Sequence, residues 1–139
     1  MTLSNMILDK FGEKKVLEYM AGRCQNLAMS LNRLDPNLEL VAILDYDESI
    51  ESECLTHALV FDKRCLRYID INGYHDSLTT ILVEYEDHGS QYFEDNMSIS
   101  RLIEFCGEIT IEESNEADEI ASFILKNINN KKGAVNEHL

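Results

Sequence analysis

The chain predicts an α+β fold, and three observations carry that prediction. Apolar residues recur at helical spacing before Pro36. Compact β-type runs then follow one another with short polar links, which implies an antiparallel sheet. A last amphipathic stretch places Ala117, Ile120, Ala121, Ile124, Leu125 and Ile128 on one stripe. The 139 residues suit a single domain over 1–128, with 129–139 as a frayed C-terminal tail. With 45% hydrophobic residues, such a chain buries enough surface to need no disulfide or metal staple.

In order along the chain, Ser4 or Asn5 caps a first helix towards Phe11. Gly12 interrupts it, and a second helical pattern from Glu13 to Met20 carries Val16, Leu17 and Met20 on one side. Gly22 breaks the chain again. From Cys24 to Leu34, Cys24, Leu27, Ala28, Leu31 and Leu34 keep helical spacing. Asp35 precedes Pro36 and so avoids helical geometry, which ends the segment. Leu38 to Leu44 reads as a strand. The acidic residues Asp45, Asp47, Glu48, Glu51 and Glu53 read as an exposed loop. Leu55 to Phe61 and Leu66 to Ile71 are two further strands, joined as a hairpin through 62–65, and Asn72-Gly73 is a turn. Asp76 caps a helix reaching Leu82 or Val83, with a strand as the competing reading because Thr79, Thr80, Ile81 and Val83 are β-branched. Residues 86–97 read as loop. Ser98 opens a short helix that stops at Gly107, Ile109 to Ile111 alternates like a strand, and Asn115 caps the last helix.

Charge narrows the partners. The chain has 26 acidic and 12 basic side chains, a formal net charge of −14. Such a surface repels phosphate backbones and anionic membranes, so nucleic acid and membrane are not expected partners. No apolar run reaches the length of a membrane span. The N-terminus has no signal-peptide pattern, and Cys24, Cys54, Cys65 and Cys106 show no paired spacing. Reduced thiols in a cytoplasm are expected.

Three residues carry candidate chemistry. Cys24 follows Gly22-Arg23 and heads a helix. The positive end of the helix dipole and the open amides of its first turn favour a thiolate and can stabilise an oxyanion, and Arg23 adds a charge nearby. Cys24 also lies on the apolar stripe, where a cysteine is an ordinary small core residue. His57, at the start of Thr56-His57-Ala58-Leu59-Val60-Phe61, is a general base on a rigid strand or a simple strand-end histidine. Asp70, in Tyr68-Ile69-Asp70-Ile71-Asn72-Gly73, is a charge in an apolar strand that needs a partner, or a turn cap. A hairpin brings His57 and Asp70 near each other.

In order and context these segments resemble papain-like and transglutaminase-like cysteine enzymes, and more closely the small bacterial and phage proteins on that fold. The likeness rests on Gly22-Arg23-Cys24 with Leu27-Ala28 and Leu31, on His57-Ala58-Leu59-Val60, and on Tyr68-Ile69-Asp70-Ile71-Asn72-Gly73. It covers about residues 20–84. It implies a papain-like core, with N-terminal helices and a Cys-headed helix packed on a small antiparallel sheet. It also implies a triad in which Cys24 is the nucleophile, His57 the base and acid, and Asp70 the orienter. The implied activity is hydrolysis or acyl transfer at an amide of a protein or peptide-like substrate, covering protease, amidase, deamidase and transglutaminase chemistry, with no cofactor.

One departure concerns the oxyanion. Papain-type enzymes carry a glutamine shortly before the cysteine, and Glu18 stands there. Gln25 and Asn26 are the nearby amides. The acidic stretch near the site favours a cationic substrate or a basic protein partner, or is a solvated loop. Cys54, His57, Cys65 and His75 are a conceivable zinc set, but Cys54 and His57 point to opposite faces of a strand, and no finger spacing is present, so no metal is expected. His75 and His88 read as solvated loop residues, and Tyr85, Tyr92 and Phe93 as cover for the sheet. The rival reading is a non-catalytic acidic interaction module or inhibitor on the same fold, presenting carboxylates where phosphates would sit.

Overall fold

The computed structural model describes residues 1–84 and 91–131. Helices α1 (Leu3–Phe11), α2 (Glu13–Ala21) and α3 (Cys24–Leu34) come first. Strands β1 (Leu38–Asp47), β2 (Ser52–Asp62), β3 (Arg67–Asp70) and β4 (Gly73–His75) follow, then α4 (Leu78–Glu84), β5 (Gln91–Glu94), α5 (Ile99–Cys106) and α6 (Ile111–Lys131). The fold is α+β. The five strands are ordered β4-β3-β2-β1-β5, and every pairing is antiparallel.

The central stretches of β1 and β2, Leu40–Leu44 and Ala58–Val60, are apolar at every position because both faces of the sheet are covered there. Leu40, Ala42, Leu44, Ala58, Val60 and Ile69 join the main core with α1, α2, α3, α5 and α6. The intervening Val41, Ile43 and Leu59 pack with Ile81 and Leu78 of α4 on the other side. α3 holds the bounds expected of it and buries Cys24, Leu27, Ala28 and Leu31, while Leu34 is exposed. In α2 the buried residues are Val16 and Tyr19, and Leu17 faces outward.

Several expectations change at the element ends. Thr2, not Ser4 or Asn5, caps α1 by accepting from the Asn5 amide at 3.1 Å. The acidic stretch is not a loop over its whole length: Asp45↔Cys54, Tyr46↔Glu53 and Asp47↔Ser52 pair as a hairpin arm, since ladder bonds use backbone groups whatever the side chain. β5 lies inside the segment read as loop. It is an edge strand with Phe93 exposed. Ser77, rather than Asp76, accepts from the Thr80 amide at the start of α4. Residues 109–110 lie in no strand, and Ile111 opens α6. A capping box starts that helix: the Thr110 amide donates to Glu113 Oε1 at 2.9 Å and the Glu113 amide to Thr110 Oγ1 at 3.1 Å. α6 continues to Lys131, beyond the boundary expected at 128. Tyr85, His88 and the rest of the expected tail, 132–139, lie outside the described residues.

Two local features position the site. Gly73 takes φ +93 in the β3–β4 turn, and a Cβ there would sit 2.9 Å from the Ser4 backbone nitrogen. Only glycine fits both the turn and the approach of α1. The second feature is a bulge in β2. Ile43 pairs with His57 but Leu44 pairs with Leu55, so Thr56 is an extra residue in the strand next to His57. Leu55 and Ala58 both reach the main core although they are three apart, which unbroken alternation forbids. A bulge redirects the side chains beside it, and this one does so at a candidate base.

Candidate active site

Cys24 is the first residue of α3, 8% exposed, behind a turn in which Arg23 occupies the N-cap without a side-chain cap. Its thiol donates to Gln25 Oε1 at 3.5 Å. His57 is 2% exposed and Asp70 3% exposed. His57 Nε2 lies 2.9 Å from Asp70 Oδ2. The register explains the contact. Val60 pairs with Ile69 and Phe61 with Tyr68, which places His57 diagonally across from Asp70, two positions off the directly opposed residue.

The electrostatics follow from this packing. Burial alone would push His57 towards its neutral form. Its hydrogen bond to Asp70 and the nearby Cys24 thiol outweigh burial and raise it from the usual 6.5 to about 9. Burial likewise opposes the Asp70 carboxylate. The two imidazoles against it, His57 and then His75, hold it well below the usual carboxylate range. His57 and Asp70 are therefore in direct contact, and Cys24 lies close enough to act on the His57 charge.

His75 is where the reading of the sequence fell short. Expected to be solvated, it is 6% exposed, and its Nε2 lies 2.7 Å from Asp70 Oδ1. The Asn72-Gly73 turn carries the signal for this placement. A tight β3–β4 hairpin pairs Tyr68 with His75, which brings His75 back to the strand that carries Asp70.

A cleft of about 720 Å³ opens beside Cys24, walled by Gly22 and Gln25, by Cys54, Leu55 and Thr56 of β2, and by Arg101, Phe105 and Cys106 of α5. Arg101 stacks over Phe105 at 4.6 Å and reaches Glu94 and Glu104 at 3.4 and 3.3 Å. Glu53 and Glu104 leave the cleft rim acidic.

Other candidates stand as follows. Gln25 lines the cleft, but its amide nitrogen donates to the Gly22 carbonyl at 3.0 Å. Asn26 is buried and not among the cleft walls. It lies two positions from Cys24, about 200° around the helix. Glu18 pairs with Lys15 at 3.0 Å. The Arg23 guanidinium turns to Glu116 of α6 at 3.1 Å, so that carboxylate rather than the Cys24 thiol is its ion-pair partner. All four cysteines are free thiols. Cys65 lies in the β2–β3 turn and Cys54 on the cleft wall, while His57 and His75 bind Asp70. Among the described residues no three His, Cys, Asp or Glu side chains gather as metal ligands. Nor is any helix among them long and apolar enough to cross a membrane.

No family model, curated protein or solved structure matches this chain.

Proposed function

We propose that the chain is a papain-like thiol hydrolase or acyltransferase acting on an amide. The observation that carries this reading is the 2.9 Å contact of His57 Nε2 with Asp70, with the helix-heading Cys24 thiol near enough to favour the charged imidazole. In this reading His57 is an imidazolium at neutral pH and Cys24 its thiolate partner. The thiolate sulfur attacks the amide carbonyl carbon. As the C–N bond breaks, His57 gives its proton to the departing amine, and a thioester to Cys24 remains. Water or a second amine then attacks the thioester carbonyl while His57 takes the proton, and the thiolate is restored. Asp70 stays ionised throughout and keeps the ring oriented. In this reading the open amides at the start of α3 hold the oxyanion, since the Gln25 side chain donates to the Gly22 carbonyl. The acidic rim around Arg101 suits a substrate with a cationic group beside the scissile amide.

The test is the alkylation rate of each cysteine against pH, read by mass spectrometry on the native protein, with His57→Ala in parallel. Cys24 reacts fastest near pH 6, and His57→Ala slows it by at least roughly tenfold. A Cys24 no faster than Cys54 or Cys106, or reactive only at alkaline pH, overturns the enzyme reading. The rival is then the acidic interaction module. What favours it is the exposure of Asp47, Glu48 and Glu51 at the tip of the β1–β2 arm of a chain carrying −14. Binding of a basic protein that survives Cys24→Ala marks that outcome.

A further inference from the structure

We propose that His75 is a positioning residue for the Cys24–His57 pair: with the Asn72 amide it fixes one oxygen of Asp70 so that the other stays aimed at His57. The inference rests on the catalytic reading of that site and adds a fourth side chain to it.

Four observations support it. An ionised carboxylate has no proton to give, so both imidazoles donate to it through Nε2. Asp70 Oδ2 accepts from His57 at 2.9 Å, and Oδ1 accepts from His75 at 2.7 Å and from the Asn72 amide at 2.8 Å. Donors on both oxygens stop rotation of the carboxylate about its Cβ–Cγ bond, which fixes the plane in which His57 is held. Next, the turn does not need His75: the Asn72 amide bonded to Asp70 Oδ1 already closes the Asp70–Asn72 turn. Third, His75 is buried on the strand after that turn, opposite Tyr68, and a polar ring placed there is costly without its bond. Fourth, the hairpin that delivers His75 depends on Gly73, whose φ of +93 and tight approach to Ser4 lock the geometry.

His75→Gln, His75→Phe and His75→Ala test this on the full chain. A glutamine amide can place a donor where Nε2 stands; phenylalanine and alanine cannot. Two readouts are followed: the pH profile of Cys24 alkylation, and the titration midpoint of the His57 ring by NMR. In the Phe and Ala variants, alkylation at pH 6 falls roughly tenfold and the His57 midpoint drops by about half a unit or more. The Gln variant recovers most of both. Circular dichroism identifies any variant that fails to fold, and either folded non-donor variant suffices against Gln. Folded Phe or Ala variants with the wild-type profile and midpoint overturn the proposal. So does a Gln variant no better than Phe, since the ring's shape would then matter rather than its donor. If wild-type Cys24 shows no reactivity at pH 6 while the His57 midpoint still follows the donor at position 75, the catalytic reading fails and the positioning role stands.

Discussion

Asp70 collects three donors on one buried carboxylate, and the energetic consequence is a pH dependence of stability. The folded state raises His57 from 6.5 to about 9, so its contribution is complete below pH 6.5 and fades as pH rises through about 9. Asp70 shifts the other way, so its contribution is present above the usual carboxylate pKa and is lost only in strong acid. Urea titrations at pH 6 and pH 9.5 then show a loss of about 1–3 kcal/mol at the higher pH, and His57→Gln removes most of that difference. An unchanged midpoint between the two pH values would mean that His57 is not charged in the folded protein. Cys24, His57 and Asp70 were legible in the sequence because each broke a local expectation: a thiol heading a helix, a histidine opening an apolar strand, a carboxylate inside one. His75 broke none. It follows a turn and precedes Asp76, and its burial comes only from the pairing of β3 with β4. The ion pair of Arg23 was unreadable for a similar reason, since its partner Glu116 lies 93 residues away.

At the scale of elements, the β3–β4 turn returns His75 to the strand that carries Asp70, and the β2 bulge lies next to His57. Gly73→Ala forces a Cβ to within 2.9 Å of the Ser4 nitrogen at φ +93. A loss of about 1–3 kcal/mol follows, measurable as a lower urea midpoint. A midpoint within error of wild type would show that α1 yields at no cost. Helix and strand cores were readable from spacing: α3 was predicted residue for residue, and the stripe of α6 includes the buried Ala117, Ile120, Ala121 and Ile124. Edges and ends were not. β5 gains its structure from pairing with β1, a long-range contact no local pattern announces, and the Thr110–Glu113 capping box was passed over for Asn115. The bulge was invisible as well, because one extra residue in a strand leaves composition unchanged while reversing which face its neighbours see.

For the whole molecule, 26 acidic side chains set a self-repulsion that 12 basic ones only partly relieve, leaving a net charge of −14. Thermal midpoints should therefore rise as salt goes from about 0.01 M to about 0.15 M, because screening weakens the repulsion more than it weakens a few ion pairs. A falling midpoint would mean that the attractive pairs dominate. Among those pairs, Glu116 has a particular place: it accepts from Tyr19 at 2.7 Å, Lys15 at 3.0 Å and Arg23 at 3.1 Å. It thereby ties α2 and the residue before Cys24 to α6. Synthesis runs from the N-terminus, so a ribosome finishes Cys24, His57, Asp70 and His75 well before Glu116 leaves the exit tunnel. During that interval α3 has no α6 to dock against. The growing chain thus carries all four of these side chains before it has the helix on which α3 packs, and Arg23 and Lys15 meet their shared carboxylate only when the last helix emerges.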